Sequence, residues 1–129
     1  MTNNKQRITN VMAALAEGND QPFLDAMHED FTWTWMGSGG LSRTFAGKDA
    51  VLNELWQSVK TDIAQPFRVT ANRIIAEGEY VVVEGQGNNQ TPDGKEYNNR
   101  YCWVMKMLDG KIVELKEYMD TALVQRTFS

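Results

Sequence analysis

The hydrophobic pattern of the first half of the chain predicts helices. Four apolar residues recur at spacings of three and four, which places them on one face of an amphipathic helix: Ile8, Val11, Met12 and Leu15. Gly18 can end this helix, and a shorter one is predicted to begin around Asp20-Gln21-Pro22, because proline is tolerated in a first turn. A third helix is predicted after Gly47, with an apolar face made of Val51, Leu52, Leu55, Trp56 and Val59.

Alternating patterns predict strands elsewhere in the chain. Residues 31–35 alternate large apolar side chains with threonine, which is typical of a half-buried strand, and Gly37-Ser38-Gly39-Gly40 is predicted to break it. After Pro66, extended runs are predicted over residues 68–76, 80–90, 96–108 and 111–121. Short turns join these runs, and Asp109-Gly110 is the strongest hairpin signal. Short connections make antiparallel neighbours, so the pattern predicts an α+β fold with three N-terminal helices on one face of a mostly antiparallel β-sheet.

Composition narrows the class of protein. A chain of 129 residues fits one domain, predicted to span residues 1–129. The net charge of −4 argues against a nucleic-acid partner, and no segment approaches the ~20 apolar residues of a membrane span. Cys102 has no second cysteine to pair with, which suits a reducing cytoplasmic location. No Cys/His cluster has the spacing of a metal site, and we predict neither a metal nor a cofactor. The lone His28, beside Glu29 and Asp30, is interpreted as a solvated end of the second helix.

The most informative residue is Glu117. If a strand runs from Lys111, alternate side chains place Val113, Leu115, Glu117 and Met119 on one face. A carboxylate among apolar neighbours costs several kcal/mol unless it is paired, solvated or neutralised. The pattern therefore predicts a pocket with Glu117 as its acid or base, and a pKa for Glu117 above the ordinary value.

The preceding strand predicts the walls of this pocket. One of its faces is mostly aromatic and thioether, and it is formed by Tyr97, Asn99, Tyr101, Trp103, Met105 and Met107. Small-molecule sites combine such walls with a few polar groups. We therefore predict ligand-binding roles around Glu117 for Trp33, Trp35, Asn99, Tyr101, Trp103, Leu115 and Met119. The alternative is that these aromatic residues form ordinary core and that Glu117 lies at a strand end reached by water.

Several stretches together resemble a known superfamily. They are Phe31-Thr32-Trp33 after His28-Glu29-Asp30, Gly47-Lys48-Asp49-Ala50, residues 97–101, and the run from Asp109-Gly110 to Met119-Asp120. With the order of elements, they make the chain similar to the nuclear transport factor 2-like superfamily and to its SnoaL-like branch, which is related to polyketide cyclases and ketosteroid isomerases. The resemblance implies a strongly curved sheet that forms a cone with an internal pocket, and a single SnoaL-like domain over residues 1–129.

The resemblance also bears on the reaction. The positions that match the catalytic residues of ketosteroid isomerase hold Val11, Trp35 and Trp103, so isomerisation of steroids by that set of residues is not expected. Cyclase-like and epoxide-hydrolase-like relatives carry an acidic residue on the final strand, where Glu117 falls. Arg100 lies on the wrong face for the arginine that the epoxide hydrolases need, and no second aspartate accompanies it.

Two functional hypotheses follow. The first is an enzyme of isomerase, cyclase or hydrolase type that moves a proton on a small, largely apolar molecule through Glu117. The second is a non-catalytic domain that binds such a molecule in the same pocket. In either case the outer sheet face, with Arg100, Val104, Lys116 and Tyr118, is predicted to form a homodimer. The alternative is a monomer in which this face is open to water.

Overall fold

The computed structural model describes residues 3–39 and 42–128 of the chain. The helical segments are α1 Asn4–Ala16, α2 Gln21–Asp25, α3 Lys48–Ala50, a π-helical turn Val51–Leu55, α4 Trp56–Asp62 and α5 Thr121–Phe128. The strands are β1 Met27–Trp35, β2 Arg43–Ala46, β3 Val69–Glu77, β4 Tyr80–Gly87, β5 Arg100–Leu108 and β6 Lys111–Met119.

The strands form one curved, open sheet in the order β2-β1-β6-β5-β4-β3. All neighbouring strands are antiparallel except β1 and β6, which run parallel. The last strand, β6, therefore lies between β1 and β5 and packs beside the first strand of the chain. The predicted α+β fold, with helices on a mostly antiparallel curved sheet, is confirmed.

The β5–β6 hairpin forms at the predicted turn and contains a bulge. Asp109 and Gly110 have φ angles of 52° and 76°, as a tight two-residue hairpin turn requires. Lys106 pairs with Glu114 while Met107 pairs with Ile112, so Val113 is an extra residue on β6. The bulge turns Ile112 inward, and the prediction of Val113 on the buried face is wrong. From Leu115 onward the predicted alternation holds, with Leu115 and Glu117 both buried.

The final strand ends earlier than predicted. The structure has it stop at Met119, and residues 121–128 form α5. Asp120 begins this helix, since its Oδ1 accepts a hydrogen bond from the Leu123 N–H at 3.1 Å. The short strand β2 was also not predicted, because only Phe45 of its four residues is buried and no alternation is visible.

The first strand begins earlier than predicted. Met27 pairs with Ile112 of β6, and the Ile112 N–H donates to the carbonyl oxygen of Ala26 at 2.7 Å. His28 is thus a residue of β1, where its Nδ1 accepts from the Asp30 N–H, and its placement at a helix end is wrong. The predicted glycine break is seen at Gly37 to Gly39, while Gly40 lies outside the described residues.

The core lies between the helices and the inner sheet face. The predicted stripe of α1 is fully buried, as are Phe23 of α2 and Phe31 of β1. Within the described residues, no helix has the length and apolar character needed to cross a membrane. In the same part of the chain, no three His, Cys, Asp or Glu side chains come together in a way that could hold a metal ion.

Candidate functional site

A cavity of about 270 Å³ lies between the inner sheet face and the helices. Strands β1, β5 and β6, helices α4 and α5 and the loop after α4 all contribute to its wall. Its lining is mostly apolar and aromatic, with a few polar groups: Trp33, Trp35, Leu55, Trp56, Ser58, Val59, Asp62, Ile63, Phe67, Tyr97, Tyr101, Glu117, Met119, Val124 and Phe128. A wall of this composition is typical of a site for a small molecule.

Glu117 is the buried acid of this cavity, with only 4% of its surface exposed. The strand register sets it beside Trp103 of β5 and Trp35 of β1. Its Oε2 accepts a hydrogen bond from the Trp103 indole N–H at 2.7 Å, and its Oε1 accepts one from the Trp33 indole N–H at 3.2 Å. Both carboxylate oxygens are therefore fixed in position by rings packed in the core.

Two opposing effects set the ionisation of Glu117. Burial raises its pKa, because the surrounding apolar groups cannot solvate a charge, and it outweighs the opposing effect, so that the pKa moves from 4.5 to about 7. The indole groups of Trp103, Trp33 and Trp35 act in the opposite direction, since they stabilise the charged form. The net result is a carboxyl group whose charged and neutral forms are both populated near neutral pH.

The indole groups hold Glu117 in place but cannot take its proton. An indole N–H is a hydrogen-bond donor with no acceptor atom, so neither Trp33 nor Trp103 can accept from a protonated carboxyl. Since Glu117 lines the cavity, a molecule bound there is within reach of its carboxyl group. This arrangement can exchange a proton with a bound molecule.

Two tyrosine hydroxyls face the same cavity from the start of β5 and the loop before it. Burial raises the pKa of Tyr97, and burial, followed by the influence of Tyr97 and Glu117, raises the pKa of Tyr101 well above its usual range. Both hydroxyls therefore stay neutral, and the Tyr101 hydroxyl donates a hydrogen bond to the Tyr97 oxygen. The Tyr97 oxygen accepts from the side-chain amide of Asn99 at 3.0 Å, which leaves its own proton free to donate elsewhere.

Asn99 connects this region to α5. It is fully buried, and its Oδ1 accepts from the Asp120 N–H at 3.0 Å while its Nδ2 donates to the Asp120 carbonyl at 3.2 Å. Asp120 is the residue that begins α5, and Val124 and Phe128 of this helix line the cavity. The Phe128 ring lies edge-on to Tyr97, with 4.9 Å between ring centres. Helix α5 thus forms part of the cavity wall.

The structure brings together five of the eight side chains that the sequence assigned to the site. Trp33, Trp35, Tyr101, Glu117 and Met119 line the cavity. The other three lie behind its wall. Trp103 is buried and orients Glu117, Asn99 anchors the start of α5, and Leu115 is a core residue paired with Trp33 across β1 and β6.

The sequence interpretation missed part of the wall. Trp56 was assigned to a buried helix face and Tyr97 to the inner sheet face, but neither was assigned to the site. Phe67, Asp62 and the residues of α5 carried no site prediction either. For α5 a signal existed, because Asp120 is a helix-starting residue type and is followed by apolar residues at positions 123, 124 and 128.

Comparisons with solved structures agree on the fold. A nuclear transport factor 2-like protein of unknown function from Burkholderia pseudomallei is 26% identical, with a TM-score of 0.82 over 100% of this chain and 99% of that one. A candidate SnoaL-like polyketide cyclase from Jannaschia is 14% identical, with a TM-score of 0.77 over 98% and 91% of the two chains. A candidate isomerase from Bacillus subtilis is 20% identical, with a TM-score of 0.78 over 98% and 96%.

Comparisons at the level of sequence identify a family. Among curated proteins, none matches this chain. The family model described as the SnoaL-like domain matches residues 8–115, which include β1 and β5 but end two residues before Glu117. Since the match covers most of the chain and the architecture agrees with it, the protein belongs to the SnoaL-like domain family of the nuclear transport factor 2-like superfamily.

Proposed function

We propose that this protein is an enzyme that moves a proton on a small, largely apolar, carbonyl-bearing molecule, with Glu117 as the acid and base. The observation that carries the proposal is one buried carboxyl group, in an aromatic cavity, whose pKa is raised to about 7. General acid–base catalysis works best when the pKa of the catalytic group lies near the working pH.

The residues of the cavity can supply the groups that this proton transfer needs. Ionised Glu117 removes a proton from a carbon next to the substrate carbonyl, and the electron pair moves onto the carbonyl oxygen. The neutral hydroxyl of Tyr97 accepts from Tyr101 and Asn99 and keeps its own proton, so it is the donor available to stabilise that oxygen as it becomes negative. Protonated Glu117 then returns its proton to the same or another carbon. These steps are those of an isomerase, and a cyclase can use the same carbanion intermediate.

The names of two structural neighbours fit this proposal. The Jannaschia protein is a candidate polyketide cyclase and the Bacillus subtilis protein a candidate isomerase, although both are under 25% identical to this chain and share the fold alone. The reaction therefore rests on Glu117 and its surroundings.

Hydrogen exchange at carbon tests the proposal directly. A panel of enolisable aryl ketones such as 2-tetralone is incubated with the protein in D₂O, and deuterium uptake next to the carbonyl is followed by NMR. We expect uptake above the rate in buffer, and Glu117→Gln should lower the enzymatic rate by roughly 100-fold or more. Glu114→Gln, which changes a carboxylate on the outer face of the same strand, is the matched control and should keep the rate. Exchange no faster than in buffer for every ketone, or a Glu117→Gln variant as fast as wild type, would contradict the proposal.

The second candidate function is ligand binding without turnover. It is favoured by the fixed geometry of Glu117, since a carboxylate already held by the Trp33 and Trp103 indoles can act as a hydrogen-bonding anchor. The two functions differ in one measurable respect. A binding domain would hold an aryl ketone without catalysing deuterium uptake, whereas the enzyme would do both.

A further inference from the structure

The charged side chains of the cavity wall are all acidic. Among the described residues that line it, two carry carboxylates, Glu117 on β6 and Asp62 at the exposed end of α4, and none is a lysine, arginine or histidine. An anionic ligand would therefore meet negative charge with no basic side chain to pair with it. The net charge of the whole chain, −4, adds to the same bias.

The rest of the wall presents aromatic surface. Seven of the lining side chains are aromatic: Trp33, Trp35, Trp56, Phe67, Tyr97, Tyr101 and Phe128. The face of an aromatic ring carries negative electrostatic potential, so it attracts a cation, and tryptophan does so most strongly. Rings and a carboxylate around one small space are the combination that recognises an ammonium group with apolar substituents.

We infer that the cavity binds a small organic cation, a protonated amine or quaternary ammonium with an apolar body, whose nitrogen lies among the aromatic rings of the wall and within reach of the Glu117 carboxylate. The inference rests on the same pocket as the proposed function and names its substrate class: a carbonyl compound that also carries a positively charged nitrogen. The indoles of Trp33 and Trp103 each donate one hydrogen bond to Glu117, and the Trp35 indole also stabilises its charge. A carboxylate has about four lone-pair sites, so acceptor capacity remains for the ligand.

Binding of a cation should depend on pH through Glu117. The titratable groups that share the cavity wall with it are the hydroxyls of Tyr97 and Tyr101 and, from α4, Asp62. The wall contributed by β1 consists of indoles and that of α5 of Val124 and Phe128, none of which titrates. Because burial raises the pKa of Glu117 to about 7, affinity for a cation should rise as pH increases through neutrality.

A pair of probes with matched shape tests this inference. Phenyltrimethylammonium and tert-butylbenzene have nearly the same size, but only the first is charged. Binding is measured by titration calorimetry at pH 5.5 and pH 8.5, and benzoate serves as the anionic probe. We expect the cation to bind at least tenfold more tightly than tert-butylbenzene at pH 8.5, and its affinity to fall roughly tenfold at pH 5.5. The affinity of tert-butylbenzene should be the same at both pH values, and benzoate should bind most weakly.

Two variants show which carboxylate causes the pH dependence of cation binding. Glu117→Gln should remove the pH dependence and most of the preference for the cation while tert-butylbenzene still binds, and that binding shows that the cavity is intact. Asp62→Asn should keep the pH dependence. Equal affinity for the two probes, tighter binding of benzoate, or no binding of the cation at pH 8.5 would overturn the inference. None of these results bears on the proposed function, because that function is tested by deuterium uptake into neutral ketones. If that uptake were absent while the preference for the cation remained, only the proposed function would be overturned.

Discussion

At the scale of single residues, the site depends on the pKa of the Glu117 carboxyl group, which two opposing effects determine. The apolar cavity favours the neutral form of Glu117, while the indole N–H groups of Trp33 and Trp103 favour the charged form. Removing either effect should move the pKa in a known direction. Trp103 makes the shorter of the two hydrogen bonds, at 2.7 Å, so it should have the larger influence.

Replacing Trp103 with phenylalanine tests this balance. Trp103→Phe keeps an aromatic ring in the core but removes the indole N–H, so we expect the pKa of Glu117 to rise above its value in the wild type. Side-chain NMR titration measures the shift. Trp56→Phe is the control, because the Trp56 indole donates to Asp20 at 3.2 Å instead of to Glu117. An unchanged or lower pKa in Trp103→Phe would show that the hydrogen bond does not stabilise the charge.

The burial of Glu117 should also make stability depend on pH. A pKa raised from 4.5 in the unfolded chain to about 7 in the folded protein means that the folded state binds the extra proton between these values. This contribution to stability is complete below pH 4.5 and is lost as pH rises to about 7, for a total of about 3 kcal/mol.

The variant Glu117→Gln isolates that contribution. Glutamine does not titrate, so wild type should lose about 3 kcal/mol relative to the variant between pH 4.5 and pH 7.5. Chemical denaturation at several pH values measures the difference. Glu114→Gln, on the outer face, should track the wild type across the same range. A constant difference between wild type and Glu117→Gln would mean that Glu117 has an ordinary pKa.

At the scale of elements, the cavity depends on how α5 is attached to the sheet. Asn99 holds both backbone groups of Asp120, and Asp120 begins the helix that supplies Val124 and Phe128 to the wall. Within α5 no residue is fully buried. The helix should therefore owe much of its position to this one buried amide.

Removing the Asn99 side chain should loosen α5. Asn99→Ala removes the partners of the partly buried Asp120 and Arg100 N–H groups, at a cost of about 1 kcal/mol. We expect the amides of Leu123 and Val124 to exchange with solvent at least tenfold faster, which hydrogen exchange followed by NMR can measure. Asn72→Ala, at an exposed position of β3, is the control. Unchanged exchange in α5 would show that its other contacts are sufficient to hold it.

The elements that could be predicted from sequence are those with a strong and uninterrupted pattern. The stripe of α1, the alternation that ends β1 and the turn at Asp109-Gly110 all appear as expected. The bulge at Val113 could not be foreseen, because an extra residue in one strand leaves no local signal. The short strand β2 has a single buried residue, Phe45, and so shows no period.

The part of the site that could be predicted is the part that follows from the alternation of side chains between the two faces of a strand. Glu117 and Trp103 were placed on one face, and the register makes them direct partners. Parity says which face a residue occupies, but not how far along the sheet the helices cover that face. It therefore could not separate Tyr101, which lines the cavity, from Asn99, which is buried behind it.

At the scale of the whole molecule, the outer sheet face has no covering element among the described residues. It combines exposed apolar side chains, Ile75 at 51% and Tyr118 at 44% exposure, with charges of both signs. Val82, Val104 and Lys116 lie side by side across β4, β5 and β6, so the apolar and charged residues form one continuous surface. A surface with this mixture can meet its own copy about a two-fold axis. We propose that the protein is a homodimer through this face, with Tyr118 near the centre.

The oligomeric state is directly measurable. Light scattering should report a mass twice that of the 14.7 kDa chain. Val104→Arg places a charge in the middle of the proposed interface and should give the mass of one chain, since a buried unpaired charge is costly. Gln57→Arg, on the exposed side of α4, should leave the mass at twice that of the chain. A wild-type mass of 14.7 kDa would rule the dimer out.

The most direct test of the central claim is the titration of Glu117 itself. With ¹³C-labelled glutamate, the carboxyl resonance of Glu117 is identified by its loss in Glu117→Gln and followed from pH 3 to pH 9. A carboxyl group buried in an aromatic cavity and able to exchange a proton at neutral pH should titrate with a midpoint near 7. A midpoint at 4.5 or below would place Glu117 in water or in an ion pair, and would contradict its role as the acid and base of the site.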